Sequence, residues 1–237
     1  MHNSITIIIP TLNEKYHLPH VLDDLAKQSV QPDEIIIVDG KSTDGTIAVI
    51  NRKKKMKIFE SKANVAVQRN IGAKHAQSDL LFFLDADVRC PKDFIKNCLS
   101  EFNNKNLAIA CPKYLPYNST RIITGIYSLF NYLFKLGEKR FPSGAGSCII
   151  IEKSLFKAGK GFLRKYTYED IEMIRRYAKQ SQFGLLDEVI YVSDRRFRQE
   201  GTMKLFMKYM HLSYFFLTNQ FMKANRVDYP YNHKNAY

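Results

Sequence analysis

Two carboxylates flank one alanine at Asp85-Ala86-Asp87, directly after the uninterrupted apolar run Leu80–Leu84. In extended chain, residues i and i+2 point to one side, so the pair faces one way. Two such anions repel unless something neutralises them. Carboxylate oxygens suit Mg²⁺ or Mn²⁺ for that role. The plainer reading is a pair of loop or capping carboxylates ahead of Pro91. A second acid, Asp39, closes the apolar run 35–38 and opens the turn Asp39-Gly40-Lys41-Ser42-Thr43-Asp44-Gly45-Thr46. Asp39 can accept hydrogen bonds from a base N–H or a ribose hydroxyl. Asp44 also reads as an ordinary helix cap. Pro10-Thr11-Leu12-Asn13-Glu14 ends the run 5–9 and opens a helix, where free backbone N–H groups suit an anion or a base edge. Its alternative is a proline turn with an asparagine cap. Arg195-Arg196 offers two guanidinium forks, or a basic surface turn.

These residues need a frame that brings strand ends together. Runs 5–9, 35–38, 56–59, 80–84 and 107–111 are apolar throughout and read as buried strands. Between them, 18–28, 43–51, 65–76 and 91–102 read as helices, the last with proline at its start. Strand–helix alternation predicts a parallel sheet covered on both faces with right-handed crossovers. In such sheets ligands bind outside the carboxyl ends of the strands. Asp39, Asp85 and Asp87 lie at those ends; Glu34, at the opposite end, is excluded. After Pro112 the pattern changes. Residues 121–136 are aromatic-rich and amphipathic, 147–151 and 185–192 read as strands, 168–178 as a helix, and 203–224 as one long helix. The tail 228–237 is polar. With no Gly/Ser linker, 237 residues make one α/β domain.

Composition narrows the partners. Lys plus Arg number 36 against 23 Asp plus Glu, a net charge of +13 that calls for a polyanionic partner. Hydrophobic residues at 45% exclude a disordered chain, and no internal repeat points to a fibre or solenoid. Cys90, Cys98, Cys111 and Cys148 form no C-x-x-C pair, which argues against a zinc knuckle and for free thiols in a reducing cytosol. The first residues show no signal-peptide pattern, and no 18-residue uncharged apolar run occurs.

The motifs in order resemble family 2 glycosyltransferases of the GT-A fold. They are I-I-I-P-T-L-N-E, I-I-I-V-D-G-K-S-T-D-G-T, Q-R-N-I-G-A at 68–73 and F-F-L-D-A-D-V at 82–88. Gly144-Ala145-Gly146, Gly161-Phe162, Tyr168-Glu169-Asp170 and Ser193-Asp194-Arg195-Arg196-Phe197 extend the likeness over residues 4 to about 201. The resemblance implies a Rossmann-like, mostly parallel sheet with helices on both faces and a C-terminal amphipathic helix. It implies a nucleotide-sugar-binding half at 1–112, an acceptor and catalytic half at 113–200, the helix at 201–225 and a loose tail at 226–237. It implies an inverting, metal-dependent enzyme that moves a sugar from a UDP- or GDP-linked donor to a glycan or lipid-linked acceptor in cell-envelope or surface polysaccharide synthesis.

Carried onto this chain, Pro10, Thr11, Asn13, Glu14 and Asp39 would hold the base and ribose, with Asp44 and Arg69 in support. Asp85 and Ala86 would reach the ribose, and Asp87, with Asp85, would bind Mn²⁺ or Mg²⁺. Arg195 and Arg196 would meet the diphosphate. Gly144, Ala145 and Gly146 would meet the acceptor. Asp170, with Glu169, would be the general base, which suits a hydroxyl attacking an anomeric carbon. Taken alone, Glu169-Asp170 reads as a solvated helix N-terminus, where acids favour the dipole. The chain departs from the pattern in offering no third metal ligand: no His follows Glu169-Asp170 until His211. A catalytically silent nucleotide-sugar- or polyanion-binding domain is the alternative.

Basic residues flank 121–136 and the 203–222 segment, where Phe, Tyr, Leu and Ile alternate with Lys. That composition fits helices lying in an anionic membrane interface, or helices that simply pack on the domain. The expected location is the cytoplasm, with peripheral contact on the inner face of the cell membrane. No nucleic-acid-binding motif is present.

Overall fold

A computed structural model describes residues 4–50, 56–218 and 220–224. An eight-stranded sheet of order β3-β2-β1-β4-β7-β6-β8-β5 organises the chain. The strands are β1 (Ile5–Thr11), β2 (Glu34–Asp39), β3 (Met56–Glu60), β4 (Leu80–Leu84), β5 (Val88–Arg89), β6 (Ile109–Pro116), β7 (Cys148–Glu152) and β8 (Phe183–Val192). The helices are α1 (Leu18–Ala26), α2 (Val65–His75), α3 (Phe94–Asn104), α4 (Arg121–Gly137), α5 (Lys153–Ala158), α6 (Glu169–Ala178), α7 (Arg195–Glu200), α8 (Thr202–Leu217) and α9 (Phe221–Ala224).

The apolar strands are buried on both faces because side chains alternate across the pleat. Ile5, Ile7, Ile9, Phe82 and Leu84 pack against α1 and α3. Ile8, Val38, Leu81 and Phe83 pack against α2 and α6. α2 comes so close to β1 that a Cβ on Gly72 would lie 2.3 Å from Ile8 Cγ2, so only glycine fits there. Strands β3-β2-β1-β4 are parallel. β7 then runs antiparallel between β4 and β6, β8 pairs parallel with β6, and β5 caps β8 antiparallel. The sheet is mostly parallel, as expected, with β7 and β5 as its antiparallel members. The chain reaches β7 from β6 through α4 and runs antiparallel to both neighbours, an orientation that apolarity alone cannot reveal.

Several boundaries also differ. β1 continues through Pro10, because the β1–β2 register pairs Pro10 with Val38 and Thr11 with Asp39. The expected helix 43–51 shrinks to one 3₁₀ turn, Thr46–Val49, and Asn51 lies outside the described residues. α3 starts at Phe94, since Pro91 belongs to the preceding turn and accepts from Phe94 N–H. β6 runs through Pro112 to Pro116, with its register against β8 shifted between Pro112 and Lys113. The expected long helix 203–224 breaks after Leu217, and α7 precedes it at a sharp bend on Gly201, whose φ is 86°. β5, α5 and α7 were not anticipated. The tail 226–237 lies outside the described residues, and so does residue 225 at the end of the expected 201–225 helix.

Topology sets the site. The parallel strands β1, β2 and β4 all end at one sheet edge. β7 enters beside the exit of β4, with Leu84 paired to Cys148. Asp85 N–H donates to Ser147 O at 3.0 Å, so the 144–147 loop lies against Asp85-Ala86-Asp87.

Candidate active site

A cleft of about 680 Å³ opens over that edge. Its floor holds Pro10, Thr11 and Glu14 after β1, and Asp85, Ala86 and Asp87 after β4. Gly144, Ala145 and Gly146 line it from the loop before β7, Glu169 and Asp170 from the start of α6, and Arg195 and Arg196 from α7.

Arg69 holds the centre. Its side chain, 3% exposed, donates to Asp85 Oδ1 at 2.8 Å, Glu169 Oε1 at 3.0 Å and Gly146 O at 2.9 Å, and its guanidinium lies 5.1 Å from the Phe162 ring centroid. One cation thus ties the β4 exit, the glycine loop and α6 together. The neighbouring residues of the Q-R-N-I-G-A segment act alongside it. Gln68 Nε2 donates to Thr11 O and Val38 O at 2.8 and 2.7 Å, clamping the ends of β1 and β2. Asn70 exchanges two hydrogen bonds with the Phe162 backbone. Sequence reasoning singled out Arg69 but not Gln68 or Asn70. Three consecutive polar residues in a helix that packs closely on a sheet were the available signal.

The carboxylates sit in low-dielectric surroundings. Burial pushes the Asp85, Glu169 and Asp170 carboxyls up, and Arg69 opposes the shift in each case. Asp170 Oδ1 accepts from Ile171 N–H at 2.8 Å, fixing the carboxylate at the head of α6. A Cβ on Gly146 would lie 2.1 Å from Asp170 Oδ2, so the glycine loop presses directly on that carboxylate. At the cleft floor, Arg195 Nη2 lies 2.9 Å from Glu14 Oε1 and 3.2 Å from Asp87 Oδ2. Burial raises the Glu14 pKa to about 7 despite Arg195.

Asp39, Asn13 and Asp44 do not line the cleft. Asp39 accepts from Ser42 N–H and Oγ at 2.9 and 2.5 Å and borders a separate small cavity beside β3. Asn13, with φ of 55°, receives Thr43 N–H, and Asp44 receives Lys15 N–H and Thr46 N–H. Together they lace the β1 loop to the β2 loop and shape the cleft rim. Glu34 is structural, buried between Thr6 and Lys57. All four cysteines are free and buried.

One wall was not foreseen. Tyr127, Phe130 and Phe134 of α4 and Tyr209, Leu212 and Phe216 of α8 line the cleft on the side of Asp170. The two helices meet through Phe130, whose ring centroid lies 5.7 Å from that of Tyr209. Their 3.6-residue apolar period was legible, but not what the buried face covers.

Asp87 already faces a cation, Arg195, and its carboxylate oxygens suit a hard divalent ion. Among the described residues no group of three or more His, Cys, Asp or Glu could hold a metal alone. Asp85 and Asp87 offer carboxylate oxygens of the kind such an ion takes.

The family model for glycosyl transferase family 2 matches residues 6–167. The chain belongs to this family. It is 34% identical over 136 residues to the O-antigen chain rhamnosyltransferase RfbN of Salmonella typhimurium, covering 55% of this chain and 43% of that protein. The chain spans less than half the length of the curated relatives it matches at 30% identity or more. The mannosyltransferase PcManGT from Pyrobaculum calidifontis, solved with GDP-Man and Mn²⁺, superposes with a TM-score of 0.75 at 18% identity, over 96% of this chain and 69% of that one. Staphylococcus aureus TarS 1–349 with UDP-GlcNAc gives 0.66 at 19% identity, over 81% and 58%. These likenesses establish the expected GT-A fold.

Proposed function

We propose that the protein is an inverting glycosyltransferase that moves a sugar from a nucleotide-diphosphate donor to a glycan or lipid-linked acceptor in cell-envelope polysaccharide synthesis. The observation that carries this reading is a single cleft lined by Asp85, Asp87 and Asp170, with Arg69 tying Asp85 to Glu169, the neighbour of Asp170. Pro10, Thr11 and Glu14 face the donor's nucleoside. Asp87, with Asp85, would hold Mn²⁺ or Mg²⁺, which would supply charge neutralisation for the leaving group. Arg195 and Arg196 lie where they can add to that neutralisation.

Asp170 takes the acceptor's hydroxyl proton as that oxygen attacks the anomeric carbon, whose bond to the diphosphate oxygen breaks. A carboxyl whose pKa is raised by burial is a better proton acceptor than an ordinary one. Glu169, locked on Arg69, positions its neighbour. UDP- and GDP-linked donors are both candidates, since the structural neighbours are solved with UDP-GlcNAc and with GDP-Man.

The test is a panel of nucleotide-sugars with Mn²⁺, read by thermal shift and by donor hydrolysis, on the wild type and on Asp87→Ala. A metal-dependent shift with one donor family, lost in Asp87→Ala with the fold intact, is expected. Full activity in EDTA or in the variant refutes the metal role.

A further inference from the structure

α8 is apolar on two opposite sides. Leu205 and Leu212 are buried in the fold. Met203, Met207, Met210, Tyr214 and Leu217 recur at i, i+4, i+7, i+11 and i+14, which places them on one stripe facing solvent. Met203 is 74% exposed and Leu217 54%. α4 repeats the arrangement. Ile123, Tyr127 and Phe130 are buried, while Ile122, Leu129, Leu133 and Leu136 form an outer stripe, with Ile122 and Leu136 exposed at 72% and 73%. A helix that only covers a core needs one apolar stripe, so a second on each of two neighbouring helices marks a contact surface.

The charge around the stripes identifies the occupant. Neither Arg121–Gly137 nor Thr202–Leu217 contains an Asp or Glu, and Arg121, Lys139, Arg140 and Lys204 are exposed at their flanks. Glu138 and Glu200 at the helix ends are paired with Lys135 and Lys208, so the unpaired bias around the Met, Leu and Tyr stripes is positive. That bias complements an anionic leaflet, where side chains enter the acyl boundary and Lys and Arg meet headgroups. A protein partner would bring acids to specific cations; a bilayer needs only the bias in sign. No helix among the described residues is long and apolar enough to cross a membrane. The inner faces of the same two helices wall the Asp170 side of the cleft.

We infer that the outer faces of α4 and α8 dock the protein on an anionic bilayer and that the acceptor is a membrane-anchored amphiphile delivered to the Asp170 side of the cleft. The acceptor half rests on the glycosyltransferase reading; the docking half does not.

Flotation of the full chain on phosphatidylglycerol vesicles tests it. Wild type should float at low salt and remain partly bound at ~1 M salt, where the Debye length falls to about 3 Å and only the apolar part survives. Met203→Gln, Met207→Gln, Met210→Gln and Leu217→Gln together should cut the salt-resistant fraction roughly tenfold or more, because exposed apolar area is what inserts. Ile122→Gln with Leu136→Gln on α4 should do the same independently. All six positions are exposed, so the thermal midpoint and any nucleotide-sugar shift should be unchanged. A wild type that stays soluble on these vesicles at low salt overturns the proposal. So does either variant floating like wild type at high salt. A wild-type dimer in light scattering that the fourfold variant converts to monomer overturns it in favour of a second copy on this face. Flotation without a shift from any nucleotide-sugar sustains the docking surface while refuting the function proposed above.

Discussion

Replacing Arg69 with Met isolates the ion that holds the site together. Met keeps most of the side chain's length and removes the charge and every donor. The guanidinium is buried and serves Asp85, Glu169 and Gly146 O. Removing one partner of a buried ion pair typically costs about 3–5 kcal/mol, because the other charge stays buried without compensation. Glu169, 3% exposed, carries most of that loss; Asp85, at 35%, is partly screened by solvent. For a chain of this size the loss corresponds to a fall in melting temperature of ~6–20 °C.

The loss should also depend on pH. Burial already raises Asp85, Glu169 and Asp170 above their usual range, and Arg69 is what pulls them down. Without Arg69 the folded state of the variant binds more protons than that of the wild type near neutrality. The variant should therefore lose further stability relative to wild type as pH rises from ~5 to ~8. Urea unfolding of both proteins at the two ends of that range measures it. A deficit under ~1 kcal/mol, or one that is the same at both pH values, refutes the role assigned to Arg69.

Asp170→Asn keeps the shape and removes the proton acceptor, so transfer should slow by roughly 10²–10⁴ with donor-induced thermal shift retained. A transfer assay that finds an unchanged rate points to an acceptor that is already an anion, such as a phosphate. Glu14→Gln tests the other buried acid: with a folded pKa of about 7 against an unfolded value near 4.5, wild-type Glu14 stays protonated longer when folded, so its contribution falls as pH rises through that window. The variant should gain stability relative to wild type between pH ~5 and ~8, and a pH-independent difference in urea midpoint would show that Glu14 ionises normally.

The apolar strands, though not all their boundaries, follow from local physics, and so were legible before folding. A run such as Leu80–Leu84 can be satisfied only by burial on both faces, and a polar residue after it must emerge where the strand leaves the core. That reasoning put Asp85 and Asp87 at the strand ends where the cleft opens, and the ordered motifs added Glu169, Asp170 and Arg195, which line the same cleft. What the residues do there depends on contacts across the chain. Asp39 has the same local signature as Asp85, yet Ser42 occupies it and the cleft lies elsewhere. Arg69 meets Glu169 100 positions away, and Arg195 meets Glu14 across 181. The antiparallel return of β7 and the break after Leu217 are likewise set by what packs beside them, not by composition. Periodicity shows that α4 and α8 each have an apolar side to bury; that each also leaves a second apolar stripe in solvent emerges only when the core has been filled. Burial of a strand is decided by its own side chains, whereas the partner of a charge and the neighbour of a helix face are decided by every element that folds against them.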